Sequence, residues 1–542
     1  MDKELQGKGA PDSVSDDVAQ SVAKSTLLMT IATLGSRATG LIRTWAMAFA
    51  LGNTFLTSAY QVANNMPNVI FELVAGGILG AAFIPVYLLQ KEKFGPEGGN
   101  RFGNTILNLT IIVLGILTIL ATVFAPQVIA TQTFTVEDTA QVTQYSIMFF
   151  RIFAIQIVFY GIGGVITGIL NANRVYFLPS LAPALNNVVV IASFFAYIPL
   201  SSANPELALW VLGVGASLGV LVQFVIQIPA LKKMGFSWSL SIDLHDPALI
   251  EALKIAIPTF VYIVGMMVSF SCRNAFSLEA SENGPSTLIY AWTWLQLPHG
   301  VVAVSLSRAL FTEMSEAVAK DDWNAMRAHV RAGIAGTLVL IIPLAVLMGL
   351  FSPNLIQLFR AGAFSADDVA YVGHVLMLWV ISLPFYSVLM YLYNVFASMR
   401  KFHIFAIVNC LMVVVQCVLY SVLCSTIGLS GVPAADFVFY AGCTIIMIII
   451  LHRYIGNFGI AAILWTMVRV VAASAIGLVA AWAVTLVIPT IGTSMVSGLL
   501  QLIVAGCIGL IVTFVFCYIF RIPEMKIVTD LLGKVKRKIT RK

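Results

Sequence analysis

The chain has 542 residues, of which 59% are hydrophobic and 10% are charged, and its formal net charge is +6. Its mean hydropathy of +0.93 excludes a soluble globular core of this length and indicates a polytopic membrane protein. Residues 1–24 are polar and mixed in charge, without the apolar stretch of a signal peptide. We expect this head to be disordered and cytosolic, and we expect no nucleic-acid partner.

Runs of about 20 apolar residues mark candidate transmembrane helices. Fourteen such runs are predicted, or twelve if the weakest are re-entrant. Basic residues concentrate in alternate loops, which places both termini in the cytoplasm and leaves little beyond Arg273 and Arg360 outside. The fourteen runs are centred on Gly35, Phe71, Leu114, Gly161, Val190, Val220, Val261, Pro298, Val339, Val380, Val413, Gly442, Ser474 and Gly509.

The first span carries two arginines, Arg37 and Arg43. An arginine at the bilayer centre costs roughly 2.5–3.5 kcal/mol, so each needs protein, water or an anion to face. At 3.6 residues per turn the two side chains lie about 120° apart. Arg43 shares a face with Ser36, and Gly40 leaves that face open. We interpret the span as the wall of a polar cavity for an anionic substrate; the alternative is that both arginines snorkel or pair with helix ends.

The second span is also polar. Asn65 and Asn68 fall near helical spacing and precede a single acid, Glu72. Pro67 is predicted to break the helix and to free backbone carbonyls, which is tolerated at membrane depth only beside a cavity or other protein. Glu72 is a candidate counter-ion for Arg43 or a proton carrier, and a purely structural partnership with an arginine is the alternative.

Other reactive residue types form no catalytic pattern. We find no Ser-His-Asp or Cys-His grouping, metal cluster or phosphate-binding loop, so we expect no enzymatic activity, metal or cofactor. Cys410, Cys417 and Cys424 recur every seven residues, which predicts packing on one helix face. We expect His299 to be a hydrogen-bonded structural histidine and Asp436 to be either an ion-coupling acid or a helix-end acid.

Residues 170–191 resemble residues 396–417 at an offset of about 226, with a basic turn at Arg174 or Arg400. The repeat predicts two pseudo-symmetric six-helix lobes related by an axis along the membrane normal, plus two extra C-terminal helices. Chance similarity between two apolar helices is the alternative. The predicted divisions are a head (1–24), an N-lobe (25–235), a C-lobe (236–455), a lipid-tail groove (456–520) and a basic amphipathic tail (521–542) that lies on anionic lipid or docks a partner.

Several of these residues match the motifs of one family. They resemble the MurJ/MviN lipid II flippases of the multidrug/oligosaccharidyl-lipid/polysaccharide exporter superfamily. The matching residues are Ser36-Arg37, Gly40, Arg43, Gly52, Pro67-Asn68, Gly77, 82–86 (AFIPV), Pro179, Ala182-Pro183, Asn187, 298–301 (PHGV) and 358–365 (LFRAGAFS).

The resemblance covers about residues 25–520 and implies two lobes around a central cationic cavity, with a groove by the last two spans for a polyprenyl tail. It implies alternating access that moves lipid II from the inner to the outer leaflet of the bacterial cytoplasmic (inner) membrane. The implied partners are lipid II and membrane lipids, with cell-wall synthesis proteins as a further predicted class. The candidate substrate-binding residues are Arg37, Arg43, Ser36, Asn65, Asn68, Glu72 and Thr293.

Two arginines typical of the family's cavity are missing. Their places hold Phe71 beside Glu72, and Thr293 between Trp292 and Trp294. Fewer cations favour a different lipid-linked glycan, a weakly basic pocket or a paralogue with another cargo. One alternative is therefore a cation- or proton-coupled multidrug exporter, or another polyprenyl-glycan exporter, of the same superfamily. A membrane scaffold that recruits cell-wall enzymes is a third.

Overall fold

The computed structural model describes residues 12–76, 83–137, 140–240, 247–487 and 495–525. These ranges contain no β-strand, which confirms the predicted all-α fold class. The helices of the first half are α1 (Asp12–Leu51), α2 (Phe55–Phe71), α3 (Phe83–Val123), α4 (Ala125–Thr133), α5 (Gln141–Phe153), α6 (Gln156–Ala172), α7 (Phe177–Ala203), α8 (Pro205–Val225) and α9 (Ile228–Lys233).

The second half continues with further helices and a few irregular turns. Its helices are α10 (Pro247–Ala280), α11 (Gly284–Pro298), α12 (Val304–Ala319), α13 (Trp323–Leu350), α14 (Ser352–Gln357), α15 (Ala366–Trp379), α16 (Leu383–Ser398), α17 (Phe402–Ile427), α18 (Gly431–Ile455), α19 (Ile460–Val487) and α20 (Met495–Ile519). Two π-helical segments, Glu72–Gly76 and His299–Ala303, directly follow α2 and α11.

Nine of the described segments are long and apolar enough to cross a membrane, or ten if the bent pair of α5 and α6 counts as one span. One of the nine, Phe402–Ile455, contains both α17 and α18 and so two of the predicted spans. The predicted spans centred on Gly35, Phe71 and Pro298 are helical but fall short of this standard, and two of their helices are short: α2 has 17 residues and α11 has 15. The polytopic architecture is confirmed, and the total of fourteen stays a prediction.

The chain divides into two compact units, and each unit consists of three separate segments of the sequence. The second unit contains the predicted C-lobe except for its first residues, and also two segments from the amino-terminal half. The predicted lobe boundaries therefore stay a prediction. The first unit comprises Met1–Arg43, Ile78–Leu120 and Ile152–Ile255, and the second comprises Thr44–Gly77, Ala121–Arg151 and Ala256–Lys542.

The first unit is organised around an aromatic stack on α3. The Phe83 ring lies between Tyr87 and Phe102, with centroid distances of 5.8 and 5.7 Å. Gly168 of α6 packs directly against this stack, since a Cβ there would lie 2.6 Å from Cδ1 of Phe83. Between membrane helices such close van der Waals contact takes over the role that hydrophobic burial has in water.

The second unit holds a larger core built from α13, α16, α18 and their neighbours. The fully buried ring of Tyr391 lies against Gly333, where a Cβ would approach Cζ of the ring to 2.0 Å. The Tyr391 hydroxyl donates a hydrogen bond to the carbonyl of His329 at 2.9 Å. The glycine therefore brings α13 and α16 together and lets the one polar atom of the tyrosine find a partner.

The two basic turns of the predicted repeat have the same backbone geometry. Arg174, after α6, has φ of 62°, and Arg400, after α16, has φ of 57°. In each turn the next residue donates its amide to the carbonyl five residues back, at 2.9 Å, which is a Schellman-type helix end. Similar closures follow α12 at Asp321 and α20 at Arg521. The turn is therefore a general helix end in this protein and does not by itself establish the repeat.

The two ends of the chain are described only in part. Helix α1 begins at Asp12, inside the head of residues 1–24 that is predicted to be disordered, and residues 1–11 lie outside the described ranges. The polar residues 12–24 and the apolar span after them thus form one helix. Most of the predicted interfacial tail, residues 526–542, also lies outside the described ranges.

We expect Arg174→Val to destabilise the protein by about 1–2 kcal/mol, because left-handed backbone is unfavourable for a side chain branched at Cβ. Arg174→Gly removes the same charge but keeps this conformation accessible. Thermal unfolding in detergent should give a lower midpoint for the valine variant than for the glycine variant. Equal midpoints would contradict the structural role of this turn.

Candidate functional site

The two arginines of the first span lie on α1. Arg37 is exposed and Arg43 is half-buried, and neither guanidinium makes a hydrogen bond or ion pair within the described residues. Two other residues of α1 bind Asn187 of α7, which donates to the Thr39 hydroxyl at 3.1 Å and to the Ser36 carbonyl at 3.4 Å. Polar contacts between α1 and α7 therefore lie beside two guanidinium groups whose donors are available to a ligand.

The predicted break of the second span at Pro67 is wrong. Helix α2 runs through the proline, and the irregularity comes later, as the π-helical turn Glu72–Gly76. A proline removes one backbone hydrogen bond and displaces a carbonyl, which bends a membrane helix without having to end it. The distortion thus falls beyond the asparagines instead of between them.

The polar residues of α2 separate into two groups. Asn68 donates from Nδ2 to Oε1 of Glu72 at 3.1 Å, and the Glu72 side chain is exposed. The carboxylate thus has a partner on its own helical segment, and its role as counter-ion or proton carrier stays a prediction. Asn65 instead lines a small cavity inside the second unit, which has a volume of about 40 Å³.

Arg273 of α10 is the charged residue of this small cavity. Its guanidinium carbon lies 5.1 Å from the ring centroid of Phe270 and 5.8 Å from that of Trp292. Both distances are in the range of cation–π contacts, each worth about 0.5–2 kcal/mol. The guanidinium makes no hydrogen bond within the part of the chain that the structure describes. Its polar neighbours around the cavity are Gln61, Asn65 and Asn274.

A large cavity of about 330 Å³ shares Phe270, Arg273 and Trp292 with the small one. Its lining comes from α10, α11, α16, α17 and α18, which all belong to the second unit. Aromatic rings dominate the wall, and amide, hydroxyl and charged groups are interspersed among them. The polar lining residues are Tyr262, Ser269, Arg273, Gln296, Tyr386, Asn409, Gln416, Tyr420, Asp436 and Tyr440.

Asp436 of α18 is the acid of the large cavity, and it is 1% exposed. Its carboxylate accepts hydrogen bonds from Nε1 of Trp379 at 2.8 Å, from Nε2 of Gln416 at 2.7 Å and from the Tyr420 hydroxyl. These three neutral donors replace the water that burial removes. Asp436 is therefore a buried member of a polar network and not a solvated acid at a helix end.

Two predicted residues of the eighth span have structural partners. The Thr293 hydroxyl donates to the Ile289 carbonyl of its own helix at 2.8 Å, and its neighbour Trp292, unlike Thr293, lines both cavities. His299 is buried, with Nδ1 3.2 Å from the Ser387 hydroxyl and its ring 4.5 Å from that of Tyr386. The prediction of a hydrogen-bonded structural histidine is confirmed.

Arg273 is not among the predicted site residues, because the distribution of basic residues placed it on the outer side of the membrane. The helix does not end there: α10 continues to Ala280. Arg273 is thus a cation inside a membrane-spanning helix, and the energetic argument used for Arg37 and Arg43 would have identified it.

An apolar groove of about 600 Å³ lies elsewhere in the second unit. Helices α13, α15, α16 and α19 contribute to it, with two residues from the turn between α15 and α16. No polar or charged side chain is among its lining residues, which are Leu338, Ile342, Ala345, Val346, Gly349, Leu350, Met377, Val380, Ile381, Pro384, Phe385, Met467, Val471 and Leu478.

Charged groups among membrane-spanning helices usually mark a substrate or ion pathway, because they are too costly to keep otherwise. Here they line internal cavities in a bundle of apolar helices, and an apolar groove lies in the same unit. Fold and site together define a polytopic membrane transporter.

The family is shown by sequence. The family model described as lipid II flippase MurJ matches residues 47–520. The chain belongs to this family, as its motifs predicted.

Two curated relatives illustrate the similarity. The probable lipid II flippase MurJ of Rhizobium meliloti (strain 1021) is 29% identical over 359 residues, which cover 65% of this chain and 66% of that protein. The probable lipid II flippase MurJ of Buchnera aphidicola subsp. Schizaphis graminum (strain Sg) is 26% identical over 385 residues, which cover 71% of this chain and 74% of that protein. The chain thus aligns with just under two thirds of the length of the Rhizobium relative.

Solved structures support the fold. A lipid II flippase MurJ in an inward closed conformation has a TM-score of 0.75 at 21% identity, covering 91% of this chain and 98% of that one. An inward-facing multidrug resistance MATE family transporter of the MOP superfamily has a TM-score of 0.59 at 14% identity, covering 80% and 94%. The chain therefore shares its fold with both structures.

We expect Tyr420→Phe to destabilise the protein by about 1.5–3 kcal/mol, because it removes a hydrogen bond to a buried carboxylate. Tyr391→Phe is the matched control: Tyr391 is equally buried, but its hydroxyl donates to a neutral carbonyl, and its loss should cost about 0.5–1.5 kcal/mol. Thermal unfolding in detergent measures both. A larger shift for Tyr391→Phe would contradict the importance of the Asp436 network.

Proposed function

We propose that the chain moves lipid II from the inner to the outer leaflet of the bacterial cytoplasmic membrane, with both termini in the cytoplasm. The observation that carries this proposal is the family match over residues 47–520. Similar folds occur in MATE structures with inward-facing and outward-facing conformations, which supports alternating access as the mode of transport. Cell-wall synthesis proteins stay a predicted class of partner.

The chemical problem in this transport is the pyrophosphate of the cargo. Its negative charges do not enter hydrocarbon without a compensating partner. We assign Arg37 and Arg43 to this group, because a guanidinium presents two parallel donors to a phosphate and stays charged. Their lack of partners within the described residues supports the assignment.

The other predicted residues are proposed to contact the uncharged parts of the head group. Asn65 supports this best, since it lines a cavity with other amide side chains. The Ser36 carbonyl already accepts from the Thr39 hydroxyl at 2.9 Å and from Asn187, so the hydroxyl of Ser36 is the group proposed to bind. The hydroxyl of Thr293 keeps acceptor capacity beyond its internal hydrogen bond. Asn68 and Glu72 already contact each other and would act as a pair.

The apolar groove is proposed to hold the polyprenyl tail. A wall without polar side chains accepts hydrocarbon and disfavours the head group. Three of its residues, Met467, Val471 and Leu478, come from α19, in the predicted lipid-tail segment 456–520. The remaining wall comes from the C-lobe helices, so the tail site is proposed to extend beyond that segment.

A multidrug exporter is the second candidate. It is favoured by the large cavity, where aromatic rings surround the buried Asp436 in a manner that suits an apolar cation. The two functions differ in what accumulates when the protein is depleted. Accumulation of lipid II in the inner leaflet supports the flippase, and increased sensitivity to cationic drugs without it supports the exporter.

We expect Arg43→Ala to lower the rate of lipid II flipping by about tenfold to a hundredfold, because a charged hydrogen bond is worth about 1.5–3 kcal/mol. Arg43→Lys should retain more activity, since it keeps the charge and loses the planar fork. The measurement is leaflet accessibility of lipid II in liposomes that contain the purified protein.

Arg308→Ala is the control for this experiment. Arg308 is an exposed arginine of α12, so its loss removes one charge without touching α1. It should flip lipid II at the wild-type rate. Wild-type transport by a folded Arg43→Ala variant would refute the role of Arg43.

A further inference from the structure

Arg273 has hydrogen-bonding capacity that the described protein does not use. The guanidinium carbon lies over the rings of Phe270 and Trp292, and these cation–π contacts use none of its five N–H groups as a hydrogen-bond donor to an oxygen or nitrogen. None of them makes a hydrogen bond within the described residues. Because the group lines both the small and the large cavity, these donors are accessible to a molecule in either one.

Asp436 does not take up these donors. It interacts electrostatically with Arg273, but the two side chains form no direct ion pair. The carboxylate is instead bound by Trp379, Gln416 and Tyr420. The acid of the large cavity, Asp436, thus has neutral hydrogen-bond donors, whereas the cation of the cavity, Arg273, has no hydrogen-bond partner within the described residues.

The large cavity also contains an acceptor without a donor. Asn409 is 2% exposed, and its Oδ1 has no hydrogen-bond partner within the described residues. An unsatisfied buried acceptor costs about 1–3 kcal/mol, so a ligand that supplies a donor would recover part of this energy. Arg273 and Asn409 lie on α10 and α17, in the wall of one cavity.

Together these two residues define a ligand that carries an anionic group and an N–H or O–H donor. A pyrophosphate that is esterified at both ends supplies only acceptors, and the sugar attached to it supplies hydroxyl donors but no further anionic group. A peptide with free carboxylates supplies both, since each residue offers an amide N–H. A volume of about 330 Å³ is at the lower end of the range for ligand pockets and accommodates a part of such a peptide.

We propose that the large cavity is a subsite for the carboxylate-bearing peptide of the lipid-linked cargo, with Arg273 binding the carboxylate and Asn409 accepting an amide N–H. The subsite rests on the proposed function, in which this cargo is lipid II. It assigns the pyrophosphate and the peptide to different arginines, on α1 and on α10. Recognition of the peptide then selects complete precursors over lipids that carry the pyrophosphate alone.

The test compares two lipids, lipid II and a polyprenyl pyrophosphate with the same disaccharide but no peptide. Their affinities are measured for the full-length protein in nanodiscs. Arg273→Gln should bind lipid II about tenfold more weakly, as expected for the loss of a charged hydrogen bond, and should bind the peptide-free lipid like the wild type. Arg273→Lys should fall between Arg273→Gln and the wild type. Arg308→Gln, the matched control, should bind both lipids normally.

Asn409→Leu is a second and independent variant. It keeps the side-chain size and removes the acceptor, so the subsite predicts a several-fold loss for lipid II alone. Thermal unfolding in detergent establishes that each variant is folded.

Wild-type affinity of both Arg273→Gln and Asn409→Leu for lipid II would overturn the subsite. An equal loss for both lipids would assign Arg273 to the pyrophosphate and would overturn it as well. If the wild-type protein flips lipid II while these variants bind it normally, the proposed function survives and the subsite alone fails. If the wild-type protein neither binds nor flips lipid II, the function fails and the subsite with it.

Discussion

A charged side chain among membrane-spanning helices loses hydration worth several kcal/mol, and the protein or a ligand has to replace it. In the second unit, the charges of Asp436 and Arg273 obtain this replacement for water in different ways. Asp436 is bound by three neutral donors. Arg273 receives two aromatic faces and no hydrogen bond within the described residues. This difference separates a structural charge from one that is available for binding, and it connects the fold to the proposed transport of an anionic cargo.

The polar spans are also the irregular ones. Helices α2 and α11 each contain a proline and are each followed by a π-helical segment, Glu72–Gly76 and His299–Ala303. Such segments break the regular pattern of backbone hydrogen bonds and often occur at functional sites. Elsewhere in the second unit, contacts such as Gly333 against Tyr391 bring neighbouring helices close together. Irregular backbone thus follows two of the spans that give residues to the small cavity, and one of them, α11, also lines the large cavity.

Much of the fold could be predicted from the sequence, because long apolar runs indicate membrane spans without any knowledge of tertiary contacts. The family followed from motifs around Arg37 and Arg43. Side-chain partners and helix irregularities were harder to predict. The hydroxyl of Thr293 donates to a carbonyl of its own helix, and α2 continues through Pro67. Arg273 was missed for a different reason, since a cation near the end of an apolar run can belong to a loop or to the helix. Only the observed length of α10 decides between these. The three donors around Asp436 come from two other helices, α15 and α17, which no local pattern connects to α18.

The central claim is that charged groups inside this bundle carry an anionic lipid head group across the membrane. Its most direct test follows the transbilayer movement of lipid II and of a neutral phospholipid in liposomes that contain the wild-type protein. The account predicts that lipid II equilibrates between leaflets much faster than in protein-free liposomes, while the phospholipid does not. Equal acceleration of both lipids, or of neither, would contradict it.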